Sequence, residues 1–283
     1  MSNLKFGIIS WFFNKPLNKY FNLLKKFGFY FSEISLDYPW SEKFDQKVKN
    51  FQIAFHAPWE GIYIAHPNKL IKDASLKVIE NCMKNIRKYN PIYFNLHLNS
   101  EAALLHYKKK NAVVERIRKI IKKHASDSLK RLAKIAKELE ILITIENASH
   151  IFVKPEDFRV IKKLKLKLCF DVGHAVKHAF LISKKINWRK LLKRWVKIYR
   201  NQILTVHLHD FKFFEQKCID HLILGQGELD LNWFFNLLKR TNCKYIVLEC
   251  HRKMNGKKTK EGVTFKEIVD CLRICKEYER VLS

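Results

Sequence analysis

Short apolar runs rich in Ile, Val, Phe and Tyr recur along the chain near residues 5–10, 30–35, 51–56, 92–97, 141–146, 166–171, 203–208 and 245–249. They are continuous rather than alternating, as expected of parallel strands buried on both faces. Between them lie segments with helical spacing of apolar residues, at 17–27, 69–89, 112–139, 155–164, 187–199, 231–239 and 265–279. In 187–199, Trp188, Leu191, Leu192, Trp195 and Ile198 form one stripe, with Arg and Lys opposite. Pro155, just before Glu156 and Asp157, predicts a helix start. The gap between the second and third strands holds only a short helix candidate, at 41–49. Strands alternating with helices predict an α/β fold with a parallel sheet, and eight such units close it into a single (β/α)8 TIM barrel over residues 1–283. The competing open, doubly wound sheet usually carries a glycine-rich phosphate turn after its first strand, and Ser10-Trp11-Phe12-Phe13 is not one.

Composition narrows the picture further. The chain of 283 residues is close to the ~250 typical of one such barrel. With 8 Gly and 6 Pro there is no linker-like tract, so one domain is expected. No apolar run reaches the ~18 residues of a membrane span. The N-terminal MSNLKFGIISWFF leads straight into a strand pattern rather than a signal peptide, which predicts a cytoplasmic location and no membrane partner. The 7 cysteines are odd in number and include no C-x-x-C pair. Cys169, Cys243 and Cys250 lie in or beside strand runs, and Cys271 and Cys275 share a helix face, so reduced core thiols are expected. The formal net charge of +28 admits a nucleic-acid partner, although the lysines are spread in pairs over the helices, with Lys108-Lys109-Lys110 the single triple.

The chemistry collects at the strand ends. His56 (FHAPW) closes the third strand, His97 (FNLHLNS) the fourth and Glu146, followed by Asn147, the fifth. Asp171 closes the sixth, with His174 three residues on in DVGHA, where Gly173 lets the backbone turn close to a ligand. The seventh gives His207, His209 and Asp210, and the eighth Glu249. One polar residue after a strand is an ordinary helix cap or loop residue. Four imidazoles and three carboxylates recurring at one position are instead the donor set of a divalent cation such as Zn²⁺ or Mn²⁺. His209 is a candidate for facing the pocket and binding substrate, and can equally pair with Asp210 or cap a helix. His66, His106, His124, His150, His178 and His251 fall off the pattern and receive no role. Lys212, Arg252 and Lys253 follow the last strand ends and are candidates for holding a substrate phosphate. Trp11, Phe12 and Trp59 are candidates for the pocket wall, where they would stack on a sugar or a base.

The motifs HAPW (56–59), NLH (95–97), IEN (145–147), DVGHA (171–175), HLHD (207–210), HLILGQGELD (221–230) and LE (248–249) together resemble the xylose-isomerase-like barrel superfamily. That superfamily holds sugar-phosphate isomerases and epimerases and the endonuclease IV type of abasic-site nuclease. In its isomerase and epimerase branch the resemblance implies one divalent metal, Mn²⁺, Co²⁺ or Zn²⁺, on Glu146, Asp171, His207 and Glu249. Glu146 and Glu249 would double as an acid/base pair on a sugar or sugar phosphate. His174 would bind a substrate hydroxyl, and His56, His97 and His221 would line the pocket.

In the nuclease branch the resemblance implies two or three Zn²⁺: His56, His97 and Glu146 for the first, Glu146, Asp171, His207 and Glu249 for the second, His174 with His221 for the third. The third ion's remaining ligand should be an Asp two before His221, where this chain has Ile219, with Asp220 displaced by one. The sequence therefore favours the isomerase or epimerase, with the abasic-site endonuclease as the alternative and a binding-only barrel as a third reading.

Overall fold

The predicted strands close into a barrel. The computed structural model describes residues 4–10, 17–37, 51–100, 112–149, 151–214, 216–256 and 258–282. Its barrel strands are β1 (Lys5–Ile9), β2 (Phe31–Ser35), β3 (Gln52–His56), β4 (Phe94–His97), β5 (Ile143–Glu146), β6 (Lys167–Asp171), β7 (Ile203–Leu208) and, numbered in chain order, β10 (Tyr245–Leu248). They pair in parallel in the order β1-β10-β7-β6-β5-β4-β3-β2 and back to β1. Around them run α1 (Leu17–Phe27), α2 (Lys69–Ile86), α3 (Ala112–Glu138), α4 (Arg159–Lys163), α5 (Val172–Ile182), α6 (Trp188–Tyr199), α7 (Leu231–Leu238) and α8 (Phe265–Leu282). The helix expected at 155–164 is a 3-10 turn, Pro155–Phe158, running into the short α4. The candidate at 41–49 lies outside the described residues.

Period-two geometry divides each strand between two environments. Phe94 and Leu96, Ile143 and Ile145, Leu168 and Phe170, and Val206 and Leu208 belong to the large core shared with the helices. A second, smaller cluster of Ile9, Phe31, Ala54, Tyr93 and Val247 fills the barrel interior. The Phe31 ring lies so close to Gly7 that a β-carbon there would approach it to 2.5 Å. The residues two further along from these interior positions are polar: Glu33 after Phe31, His56 after Ala54, Asn95 after Tyr93 and Glu249 after Val247. The same face carries Thr144 and Glu146, Cys169 and Asp171, and Thr205 and His207, so the interior turns from apolar to ligand-bearing toward the strands' C-terminal ends.

Two features depart from the sequence reading. DVGHA, where no helix was expected, runs from β6 directly into α5, whose N-cap is Asp171, its side chain accepting the His174 amide at 2.5 Å. The segments after β7 and β10 build a second sheet of β8 (Asp210–Phe214), β9 (Lys217–Leu222), β11 (Arg252–Asn255) and β12 (Lys258–Glu261), ordered β12-β11-β9-β8. Because β8 and β11 start just beyond barrel strands, this sheet sits at the ligand-bearing end.

Candidate metal centre

His207 is the hub of the mouth. Its Nδ1 lies 2.9 Å from Glu249 Oε2 and 3.3 Å from Glu146 Oε2, and all three residues are buried. Among the described residues neither His207 Nδ1 nor Glu249 Oε2 has a hydrogen-bond partner, despite facing one another inside the protein. A buried imidazole nitrogen and two carboxylate oxygens this close together are the kind of donor atoms that could hold a divalent cation. Asp171 completes the group: its ligand atom lies within 4.8 Å of those of Glu249, His209 and His221, and within the same span of Glu146 and His174.

Glu146 also receives Asn95 Nδ2 at 2.6 Å, and His97 Nε2 and His56 Nε2 lie 3.2 and 3.4 Å from its oxygens. Asn95 is itself fixed by the Thr144 hydroxyl at 2.9 Å. His56 Nδ1 donates to the Ala57 carbonyl at 2.7 Å, which turns Nε2 toward Glu146 and toward His97 Nε2, 3.1 Å away. Burial works against the ionised Glu146, but His97, His207 and His56 outweigh it and hold the carboxyl well below the ordinary carboxylate range. Burial likewise opposes protonation of His56, which the hydrogen bond and charge of Glu146 and the charge of Glu33 raise to about 9. His174 is raised to about 9 as well, against its burial, by Asp171 and Asp220.

Two of the motif residues, Asn147 and Asp210, build scaffold. Asn147 stitches β5 to β6, donating to the Asp171 carbonyl at 2.8 Å and accepting its amide at 2.7 Å. Asp210 accepts the amides of Phe211, Gly225, Gly227 and Leu229 at 2.8–3.0 Å, so HLHD anchors the LGQGELD loop. A β-carbon at Gly227 would lie 2.2 Å from the Phe211 carbonyl oxygen. His209 does not face the cavity: it lies behind Asp171, its Nδ1 accepting the His221 amide at 2.8 Å and its Nε2 donating to the Asp171 carboxylate at 3.1 Å.

Asp220, not Ile219, enters the site beside His174 and His221. His221 has a left-handed backbone (φ 57°), which breaks strand alternation and turns both Asp220 and His221 inward. Asp220 Oδ2 lies 3.2 Å from His174 Nδ1 and 3.5 Å from His221 Nδ1. The same carboxylate accepts Lys177 Nζ on both oxygens, at 2.9 and 3.0 Å, and Arg252 Nη1 at 3.0 Å. Against the cost of burial, His174, His221 and Lys177 hold it far below the ordinary range.

A cavity of about 300 Å³ opens above these groups. Its wall includes Glu146, Glu249, His56, His97, His174 and His221, together with Trp59, Lys177, Asp220 and Arg252. Trp59 stands half exposed at the rim, its amide held by Asp37 Oδ1 at 2.7 Å. His178 and His251, assigned no role from sequence, also line it. His178 stacks on His174 one turn along α5, a spacing visible only once α5 is recognised as a helix. Two phosphate candidates lie elsewhere: Lys212 reaches over the Phe214 ring, and Lys253 is bound by Glu267 at 2.8 Å. Arg252 faces the cavity but divides its guanidinium between Asp220 and Glu261. Trp11 and Phe12 lie outside the described residues.

A closed parallel barrel with helices around it, whose strand ends bring carboxylates and imidazoles together, is a (β/α)8 barrel with candidate metal-binding clusters at its mouth. The chain matches the xylose isomerase-like TIM barrel family over residues 21–273 and belongs to that family. Among solved structures it is similar to a D-tagatose 3-epimerase-like protein (19% identity, 98% of each chain, TM-score 0.71). It is similar also to the 3-keto-D-glucoside 4-epimerase YcjR of E. coli in its apo form (17% identity, 97% of this chain and 100% of that one, TM-score 0.71). The IolI protein with a bound zinc atom is a third (14% identity, 98% and 96%, TM-score 0.66). No curated protein matches the chain significantly in sequence. No helix among the described residues is long and apolar enough to cross a membrane.

Proposed function

We propose that this protein is a divalent-metal-dependent sugar epimerase or isomerase that moves a proton next to a carbonyl, with Glu146 and Glu249 as the acid/base pair. The observation that carries this reading is the convergence of the Glu146 and Glu249 carboxylates on Nδ1 of the buried His207, at 3.3 and 2.9 Å. Glu146, Asp171, His207 and Glu249 would hold Mn²⁺, Co²⁺ or Zn²⁺, which when bound supplies Lewis-acid polarisation of the substrate carbonyl.

The proton chemistry belongs to the protein. One carboxylate takes the proton from the carbon beside the carbonyl, and the C–H electron pair moves into an enediolate. The other carboxyl group, protonated, delivers a proton to the opposite face and so inverts the centre. Returning it to the carbonyl carbon instead, with the hydroxyl proton relayed, gives the isomerase outcome. Trp59 offers an aromatic face at the rim, and His174 a ring nitrogen for a substrate hydroxyl. The cavity of about 300 Å³ suits a monosaccharide. The epimerase names of the solved relatives support the same class.

The abasic-site nuclease is the second reading, favoured by one observation: Asp220 supplies the position that Ile219 leaves vacant in the sequence pattern. Against it, Lys177 and Arg252 already place two cationic groups on that carboxylate, which a zinc ion would have to displace.

The test is incubation of Mn²⁺-loaded protein with a panel of free and phosphorylated ketoses, followed by chromatography of the products. Conversion abolished by a chelator and by either Glu146→Gln or Glu249→Gln supports the proposal. Inactivity on every sugar, with cleavage of a duplex carrying an abasic site, replaces it with the nuclease.

A further inference from the structure

Beneath the metal centre the barrel interior contains a carboxylate that the proton chemistry does not use. Glu33, on β2, is wholly buried, and below it lie Phe31, Tyr93 and Val247 of the apolar interior. The Tyr93 hydroxyl donates to its Oε2 at 2.5 Å and receives the Thr205 hydroxyl at 3.4 Å. His207 Nε2 lies 3.3 Å from Oε2 and 3.1 Å from Oε1. A carboxylate in such surroundings costs several kcal/mol unless it is fully engaged, so its presence calls for a reason.

The geometry points to Glu33 as the residue that positions His207 for the metal, an inference that rests on the metal-centre reading above. With Nε2 donating to Glu33, the proton of a neutral His207 is fixed on that nitrogen and the Nδ1 lone pair is left toward Glu146 and Glu249. The bond also holds the ring against a flip, which would put carbon where Nδ1 now faces the two carboxylates. Tyr93 in turn holds Glu33, so an apolar-looking layer of the barrel carries a chain Thr205–Tyr93–Glu33–His207 up to the site. Glu33 is a positioning residue: the distances place it against His207, not against the cavity.

The test compares Glu33→Gln with the unaltered protein. Co²⁺ affinity is read by competition with a chromophoric chelator, alongside the visible spectrum of the bound ion. Glu33→Gln is expected to weaken Co²⁺ binding by roughly 10–100-fold and to change the spectrum, because a ligand whose second nitrogen loses its carboxylate is both less basic and less oriented. Affinity within twofold of the unaltered protein, with the same spectrum, overturns the inference and leaves Glu33 a mere core carboxylate. Should Glu33→Gln fail to fold, ¹⁵N NMR of the zinc-loaded unaltered protein decides: a slowly exchanging proton on His207 Nε2 is expected, and Nε2 without one contradicts it. If the unaltered protein binds neither ion, the metal centre itself fails, and Glu33 with it. Metal bound equally by both proteins removes Glu33 alone.

Discussion

The Lys177 ammonium lies 2.9 and 3.0 Å from the two oxygens of Asp220, the position a third metal ion would need. This pairing separates two chemistries that otherwise share nearly all their side chains. An ammonium already chelated by the carboxylate does the ion's electrostatic work, and Arg252 adds to it from the other side.

Zinc content should therefore respond to Lys177. The unaltered protein is expected to retain one ion per chain after dialysis, by elemental analysis. Replacing both cations, as Lys177→Met with Arg252→Met, should raise the count by one, because His174, Asp220 and His221 are then left as a three-donor site. Three ions in the unaltered protein would contradict this account.

Gly173→Ala should damage the centre without touching a ligand. A β-carbon there would lie 2.0 Å from His209 Cε1, and His209 is the ring that holds Asp171. A cost of about 1–3 kcal/mol in unfolding free energy is expected from overpacking, with weaker metal binding. Combining it with His209→Ala should recover much of the stability but not the affinity, as chemical denaturation and metal titration would show.

Asp210→Ala should be among the most damaging single changes outside the centre. It strands four amides that now converge on one carboxylate. The loss is expected to be on the order of 3 kcal/mol or more, since hydrogen bonds to a charged group are worth about 1.5–3 kcal/mol each before the loop relaxes. A denaturant midpoint close to that of the unaltered protein would argue against the anchoring role.

For the metal-free protein, His56 and His174 carry folded-state values of about 9 against an ordinary 6.5. A raised histidine contributes stability that is fully present below pH 6.5 and is lost as pH climbs through 9. The melting midpoint in chelator should thus fall between pH 6.5 and 9, and fall less steeply in His174→Asn. Identical slopes for the two proteins would contradict the assignment.

Much of this was legible because a strand hands its last inward residue to the barrel mouth, so Glu146, Asp171 and His207 announce themselves at the ends of apolar runs. Each run read as continuous because both barrel faces are buried; the alternation lies in chemistry, as in Thr144 and Glu146 against Ile143 and Ile145. Asp220 was out of reach, since nothing in the order of residues signals the left-handed turn at His221. The helix α5 escaped because it begins without a connecting loop and carries Gly173 and two valines in its first turns, which mark it as irregular by propensity alone. Glu33 is a lone acid inside the apolar run at 30–35, but its partners lie just before β4 and on β7 and its meaning depends on barrel closure.

The most direct measurement is wash-in of solvent deuterium, by NMR, at the carbon beside the carbonyl of a ketose held with the Mn²⁺-loaded protein in D₂O. Exchange is expected with the unaltered protein and should vanish both in Glu146→Gln and in Glu249→Gln. A fully loaded protein that leaves every tested ketose unlabelled, or exchange that survives loss of both carboxylates, would contradict the account.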